Sequence, residues 1–165
     1  MEIIEYEGRY AEQVKDLLVE LQCYLALLDE RGVLVVKDSF REEYFAYVRE
    51  ELSKHGGKIF LAQKEGRAVG MVVCKLLPEG GEAAITTTCP KTGFISDLVV
   101  TEPERGRGIG KALLAAAEDY FAANGCEYSQ LEVFAPNSDA RELYRKSGYG
   151  VNCLYLSKAL ARSKF

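Results

Sequence analysis

The stretch Val99-Val100-Thr101-Glu102-Pro103-Glu104-Arg105-Gly106-Arg107-Gly108-Ile109-Gly110-Lys111-Ala112 decides how this chain folds. It follows a predicted strand, Phe94 to Val100, and opens a predicted helix. Three alternate glycines let the backbone bend sharply and approach a ligand closely, and two arginines and a lysine add positive charge. The first N–H groups of a helix lack intrahelical partners and carry its positive dipole end. The stretch therefore predicts a site for a phosphate or pyrophosphate.

Two common phosphate loops do not fit this stretch. A Walker loop needs glycine where Arg105 stands and Ser or Thr where Ala112 stands. A Rossmann loop needs its third glycine where Lys111 stands. What remains is Arg-x-x-Gly-x-Gly between a strand and an amphipathic helix, and the alternative is a glycine-rich turn that binds nothing.

A second stretch lies in the carboxyl-terminal part of the chain. A predicted strand, Leu131 to Phe134, leads to Asn137-Ser138-Asp139-Ala140-Arg141-Glu142-Leu143-Tyr144-Arg145-Lys146-Ser147-Gly148-Tyr149. This stretch matches Asn-x-x-Ala-x-x-x-Tyr-x-x-x-Gly-(Phe or Tyr) at every fixed position. Together the two stretches resemble the GNAT-type N-acetyltransferases from about Phe94 to Tyr149, and before that the likeness is in element order only.

Length and composition describe an ordinary globular chain. Its 165 residues are 48% hydrophobic and 28% charged, and we expect a single domain over residues 1–165. No apolar run reaches the length of a membrane span, and the acidic start is unlike a signal peptide, so a cytoplasmic location without a membrane partner is expected. The net charge of −4 argues against nucleic-acid binding.

The five cysteines and the single histidine show no metal-binding pattern. No Cys-x-x-Cys pair occurs, and an odd number of cysteines favours reduced thiols, so no metal is expected. Cys23 and Cys74 lie in apolar surroundings and are expected to be core residues rather than nucleophiles.

Apolar spacing predicts two helices in the first third of the chain. Apolar residues at three- and four-residue spacing from Tyr10 to Leu28 predict a long helix. Ser39 and Glu42 have the spacing of a capping box at the start of a second helix, which ends at Gly56-Gly57.

The remaining elements complete the order β-α-α-β-β-β-α-β-α-β. Residues 83–92 are a loop or a short strand. The hairpin composition of Lys64–Arg67 joins two strands. We expect strands at Glu2–Tyr6, Ile59–Gln63, Ala68–Leu76, Gly93–Val100, Tyr128–Phe134 and Tyr149–Ser157, with helices after the glycines and at Asn137–Ser147. The resemblance implies an α/β (α+β) fold with a mixed, mostly antiparallel sheet and helices on both faces.

The resemblance also implies acetyl-coenzyme A as the cosubstrate. Its pyrophosphate would lie on the backbone of Arg105, Gly106, Arg107, Gly108, Ile109, Gly110 and Lys111. The backbone of Leu98, Val99 and Val100 would align the pantetheine arm and polarise the thioester. Tyr144 would protonate the leaving thiolate, beside Asn137, which also caps its helix, and Ala140. Plain packing is the alternative for these residues.

The attacking amine must lose a proton, so a base is needed. Asp97 is the first choice, and Glu132, a water molecule or plain solvent exposure of Asp97 stay open. The segment Asp29–Glu51, which walls the acceptor site in this fold, carries more acids than bases. An acidic wall suits a cationic acceptor, whereas a solvated helix face is the alternative.

Three functions follow from the resemblance. The first is an N-acetyltransferase that acts by direct attack in a ternary complex on a small-molecule, cationic amine. The second is a protein acetyltransferase for N-termini or lysines. The third is an inactive coenzyme A-binding sensor or scaffold. A homodimer is a further expectation, and it depends on the carboxyl-terminal edge, where one long strand is predicted instead of the usual two.

Overall fold

The computed structural model describes residues 1–78, 85, 88 and 90–160. These residues contain five strands and four helices in the predicted order up to the last helix. The elements are β1 (Glu2–Glu5), α1 (Ala11–Leu28), α2 (Phe40–Lys54), β2 (Lys58–Lys64), β3 (Arg67–Leu76), β4 (Thr92–Val100), α3 (Ile109–Ala123), β5 (Tyr128–Leu131) and α4 (Ser138–Lys146). Half of the predicted segment 83–92 lies outside the described residues.

The strands form one sheet in the order β1-β2-β3-β4-β5. Neighbouring strands are antiparallel except β4 and β5, which are parallel. The β2–β3 hairpin turns at Glu65 (φ 52°) and Gly66 (φ 78°), and two positive φ angles are what a type I′ turn requires. The mixed, mostly antiparallel sheet and the hairpin are confirmed.

Helices cover both faces of the sheet and make two cores. On one face α1 and α2 contribute residues such as Leu18 and Phe45, which pack on Met71 of β3. On the other face α3 and α4 contribute Leu113 and Tyr144, among others. Central strands buried on both faces hold the sheet rigidly, so the ends of β4 are fixed relative to both pairs of helices.

The capping box predicted for α2 is wrong. Ser39 precedes the helix, but its backbone is already helical (φ −77°, ψ −12°), and its side chain makes no capping hydrogen bond. A capping side chain needs an extended backbone to reach back to the first N–H groups. Glu42 turns away instead, to Lys15 at 2.6 Å and Arg41 at 2.9 Å.

The two cysteines expected in the core differ. Cys74 is buried, its thiol lies 3.6 Å from the Lys58 carbonyl, and burial raises its pKa to about 12, so it is no nucleophile. Cys23 is exposed, because it lies on the side of α1 opposite the buried residues Leu17 and Leu18. Among the described residues, no three His, Cys, Asp or Glu form a group that could hold a metal ion. No described helix is long and apolar enough to cross a membrane.

The strand predicted at Tyr149–Ser157 is absent: the described residues after α4 form neither a helix nor a strand. The side chains of Val151, Tyr155 and Leu156 are exposed, and no strand among the described residues offers the hydrogen bonds that an extended segment needs. β5 is also shorter than predicted and ends at Leu131. Strand propensity alone did not create a sixth strand.

Candidate active site

An extra residue in β4 sets the direction of Asp97. Cys74 of β3 pairs with Ile95 and Val73 pairs with Asp97, so Ser96 is left over as a β-bulge. Ile95 packs in the core beneath α3 and α4. Because side chains alternate along a regular strand, Asp97 would otherwise face the same side. The bulge turns the Asp97 side chain toward α2 on the opposite face.

The second half of β4 has an open edge. β5 pairs with β4 only as far as Ile95. At the far end of β4, the Thr101 N–H donates to a β3 carbonyl at 2.9 Å. Because backbone groups point to alternate sides along a strand, the N–H and C=O groups of Val99, two residues earlier, also point toward β3. The alternate residues Leu98 and Val100 direct theirs to the open side. β4 and β5 therefore separate beyond Ile95, but Val99 is not available to a ligand through its backbone.

The glycine stretch makes two left-handed bends before α3. Gly106 (φ 74°) and Gly108 (φ 82°) adopt angles that favour glycine. The Ala112 N–H donates to the Gly108 carbonyl at 3.1 Å, so the N–H groups of residues 109–111 have no intrahelical acceptor. These donors lie at the positive end of a 15-residue helix, which is the arrangement that the sequence prediction of an anion site requires.

The three cations of the loop have different surroundings. The Arg105 Nε donates to the Val100 carbonyl at 2.9 Å, and its guanidinium lies 4.8 Å from the Tyr24 ring centroid. Arg105 therefore fixes the loop against α1 and occupies the Val100 carbonyl, which leaves the Val100 N–H for a ligand. Arg107 and Lys111 are exposed, and the Arg107 guanidinium lies 3.4 Å from the Glu104 carboxylate.

The second motif forms α4, which lies beside the start of α3. Asn137 caps α4, since its Oδ1 accepts the Ala140 N–H at 3.2 Å, and this part of its predicted role is confirmed. A Cβ at Gly110 would lie 3.0 Å from the Leu143 side chain, so the two helices are in close contact there. Ala140 and Tyr144 share the face that packs with α3. The fold thus places the two sequence motifs together.

Tyr144 is buried, with 9% of its surface exposed, and its ring lies edge-on to Tyr149 at 6.0 Å. No hydrogen bond to its hydroxyl is present within the described part of the chain. Burial, assisted by the charge of Asp97, raises the pKa of Tyr144 to about 12. The hydroxyl therefore stays protonated and is able to donate a hydrogen bond to a developing anion.

Asp97 is the buried carboxylate of the site, with 5% of its surface exposed. The Tyr44 hydroxyl donates to its Oδ1 at 2.9 Å and the Ser96 hydroxyl to its Oδ2 at 2.8 Å. Burial raises the pKa of Asp97, and the two hydrogen bonds and the Lys75 charge oppose that rise. A carboxylate with a raised pKa is suited to take a proton.

Glu132, the alternative base, lies in different surroundings from those predicted. It follows the end of β5 and is exposed, so it is not a carboxylate within an apolar strand. Because β4 and β5 separate after Leu131, no strand among the described residues pairs with the segment that contains Glu132. Among the two candidate acids, only Asp97 is buried against the open edge.

The expected acidic wall is largely neutralised. Glu51 pairs with Lys75 at 2.7 Å, and Glu42 pairs with two cations as described above. Asp29 is buried and accepts the N–H groups of Val33 and Leu34, each at 2.8 Å, which organises the loop between α1 and α2. Composition could not reveal these partners, because they depend on distances between elements.

A groove of about 340 Å³ lies along α2 on the Asp97 side of the sheet. The Tyr44 ring is stacked between Phe40 (4.9 Å) and Tyr47 (5.9 Å). The other lining residues are Val35, Lys37, Ser39 and Glu43. The contact of Tyr44 with Asp97, which is 53 positions away, could not be predicted from spacing along the sequence.

Residues 18–149 match the Acetyltransferase (GNAT) family, which covers both motifs, the open edge and Asp97. The chain belongs to this family. Acetyl-coenzyme A is the cosubstrate of GNAT enzymes, and the phosphate-binding expectation for the glycine loop agrees with it.

The similar proteins include acetyltransferases with different acceptors. N-alpha-acetyltransferase MAK3 of Arabidopsis thaliana is 36% identical over 110 residues, which are 67% of this chain and 50% of that protein. Aminoalkylphosphonate N-acetyltransferase of Salmonella typhimurium is 38% identical over 68 residues, 41% of this chain and 44% of that protein. The matched regions thus span half or less of these relatives.

A mutant of the BH1408 protein from Bacillus halodurans shares the fold. Its crystal structure superposes with a TM-score of 0.85 at 22% identity and covers 98% of this chain and 100% of that chain. The GNAT fold expected from the sequence is therefore confirmed, although the carboxyl-terminal strand is not.

Replacing Gly108 with valine should weaken coenzyme A binding by tenfold or more. A side chain at this position would project where the coenzyme's pyrophosphate must approach, and no protein atom lies within 4 Å of its Cβ. Gly125→Val is the matched control, because Gly125 has a similar φ of 75° at the other end of α3. Calorimetry should show weaker binding for the first variant only. Equal affinities of the wild type, Gly108→Val and Gly125→Val for coenzyme A would show that the glycine loop does not bind the coenzyme.

Proposed function

We propose that this chain transfers acetyl from acetyl-coenzyme A to a primary amine of a small, cationic molecule by direct attack in a ternary complex. One observation carries this proposal: the open edge of β4 lies between buried Asp97, which faces α2, and the helix that bears Tyr144. A base and an acid on opposite sides of one edge suit the two proton transfers of amine acetylation.

The coenzyme side is formed by the two motifs. The N–H groups at the start of α3 hold the pyrophosphate, and exposed Arg107 and Lys111 add charge. The Leu98 backbone and the Val100 N–H face the pantetheine arm and the thioester carbonyl, where an N–H stabilises the developing oxyanion. Ala140 is small enough to leave room for the arm.

The chain's residues handle one proton on each side of the thioester. Asp97 accepts a proton from the acceptor's ammonium, so that the free nitrogen lone pair forms the new C–N bond. As the C–S bond breaks, Tyr144 donates a hydrogen bond to the sulfur, and the second proton that the nitrogen loses as it becomes an amide passes to this sulfur, so that coenzyme A leaves as the thiol. No side chain of the protein needs to become acetylated.

The groove along α2 supports a small, cationic acceptor. Its volume of about 340 Å³ is in the range of small-molecule sites. Glu43 and Lys37 line it, Glu43 forms no ion pair with any described residue, and Asp97 supplies a second acid nearby, so acids outnumber bases around the groove. The named relatives act on different acceptors, as their names state, so acetylation of a protein amine is the alternative, and a sensor without catalysis is the next.

A panel of amines tests the proposal. Thiol release from acetyl-coenzyme A should be fastest with small diamines or polyamines, slower with uncharged arylamines and slowest with amino-terminal peptides. The same panel with Asp97→Asn separates enzymatic from spontaneous release. Preferred turnover of peptides would favour the protein acetyltransferase, and coenzyme binding without turnover of any amine would favour the sensor.

We also propose that residues 1–165 form one cytoplasmic domain that associates as a homodimer. β5 has no partner on its outer edge within the described sheet, and the segment after α4 exposes Val151, Leu154 and Leu156. An open strand edge and an unpaired apolar segment on one chain are complementary between two copies. Light scattering in solution should give twice the 18.3 kDa chain mass, and a monomer would exclude this arrangement.

A further inference from the structure

Tyr44 is held in a fixed orientation by contacts at both ends of its side chain. Its ring is stacked on Phe40 at an interplanar angle of 15° and on Tyr47 at 29°. Its hydroxyl crosses to β4 and donates to the Asp97 Oδ1 at 2.9 Å. A tyrosine clamped between two rings has little rotational freedom left, so the position of its hydroxyl is set by α2.

We propose that Tyr44 is the positioning residue for Asp97, and that it fixes the carboxylate against the acceptor groove. The proposal rests on the proposed function, in which Asp97 is the base. Tyr44 lines the groove and contacts Asp97 at the same time, so one side chain connects the acceptor site to the proton acceptor. The three-ring stack thus has a purpose beyond packing α2 on the sheet.

The groups around Asp97 show why its hydrogen bond from Tyr44 matters for the carboxylate. Ser96, on the same strand, donates to Oδ2, and Lys75 of β3 is occupied by Glu51 at 2.7 Å. Tyr144 of α4 is close enough for the Asp97 charge to affect its titration. Tyr44 is therefore the hydrogen-bond donor that α2 supplies, and it holds the one oxygen that Ser96 does not.

Loss of the Tyr44 hydroxyl should change how Asp97 titrates. A hydrogen bond to the charged form stabilises that form, and burial works against it. Removing the donor leaves burial less opposed, so the carboxylate should take up its proton at a higher pH. The acidic limb of activity should move in the same direction.

Tyr44→Phe is the test, and Tyr47→Phe is its matched control. Both keep a ring in the stack, but Tyr47 is half-exposed and has no bond to Asp97. We expect Tyr44→Phe to shift the acidic limb of kcat/KM upward by about one pH unit and to lower kcat about tenfold. Coenzyme A affinity should stay within twofold, and Tyr47→Phe should leave the acidic limb at the wild-type pH, whatever its effect on the acceptor KM as a groove residue.

A second measurement does not depend on turnover. Carbon-13 NMR titration of the Asp97 carboxyl should show the same upward shift in Tyr44→Phe and no shift in Tyr47→Phe. An unchanged Asp97 titration would overturn the positioning role even in an active enzyme. A shifted titration in a chain that acetylates no amine would support the role and reject the proposed function.

The double variant provides the last check. In an Asp97→Asn background, Tyr44→Phe should have no further effect on kcat if the two residues act as one unit. Independent losses that multiply would show that Tyr44 contributes to packing or acceptor binding instead, and would also overturn the proposal.

Discussion

Replacing Tyr144 with phenylalanine is expected to lower kcat by about 10²-fold while coenzyme A affinity changes little. The hydroxyl is the only group removed, and it has no hydrogen-bond partner among the described residues to lose. Its raised pKa keeps it protonated at neutral pH, so it is available to donate to the leaving sulfur, as proposed. The measurement is single-turnover thiol release at saturating amine, where chemistry limits the rate.

Tyr149→Phe is the matched control for this result. Its ring contacts Tyr144, but its hydroxyl is bound to Ser129 at 2.6 Å and Glu118 at 2.9 Å. Removing this hydroxyl should lower thermal stability and leave kcat within a few-fold. If Tyr144→Phe retained the wild-type single-turnover rate, Tyr144 would be a packing residue and the thiolate would be protonated by solvent.

Replacing Asp97 with asparagine is expected to lower kcat/KM at neutral pH by 10²-fold or more and to remove the acidic limb of the pH profile. The wild-type profile should rise as Asp97 loses its proton, because only the carboxylate is a base. The limb should lie above the ordinary range for an aspartate, since burial raises its pKa. A full-range pH profile measured at constant ionic strength checks both expectations.

Asp97→Asn should lower activity, but it should not lower the thermal stability of the fold at neutral pH. The folded-state pKa of Asp97 is raised above its unfolded value, so protonation stabilises the fold. That contribution is present in full below the unfolded pKa and is lost as the pH rises through the folded pKa. Asp97→Asn should therefore melt no lower than the wild type at neutral pH, with the difference shrinking in acid. A lower Tm at neutral pH would mean that the activity loss reflects damage to the fold.

Local signals in the sequence were sufficient for most of the fold. The three- and four-residue spacing in α1, the hairpin at Lys64–Arg67 and the glycines before α3 are each determined by neighbouring residues, and each was predicted correctly. The strand at Tyr149–Ser157 failed because pairing requires a partner at the right distance, which propensity does not report. The capping box failed because the Ser39 backbone is already helical and Glu42 pairs instead with Lys15 of α1 and with Arg41.

The candidate site likewise contains residues that local sequence motifs predicted and residues whose positions depend on contacts between distant elements. The loop glycines and Asn137, Ala140 and Tyr144 are carried by two local motifs, so their positions followed from sequence. The direction of Asp97 depends on the bulge at Ser96, and its contact with Tyr44 depends on how α2 crosses the sheet. Neither leaves a pattern along the chain, and the exposure of Glu132 likewise became visible only in three dimensions.

The bulge at Ser96 lets one strand serve two independent surfaces. Downstream of it, Asp97 faces α2, while Leu98 and Val100 pack toward α3 and α4. Residues on the α2 side can therefore be exchanged without disturbing those on the α3 and α4 side. If the acceptor binds along α2 as proposed, we expect a chimaera that carries residues 29–56 of another family member to take that member's amine preference and to keep this chain's coenzyme affinity.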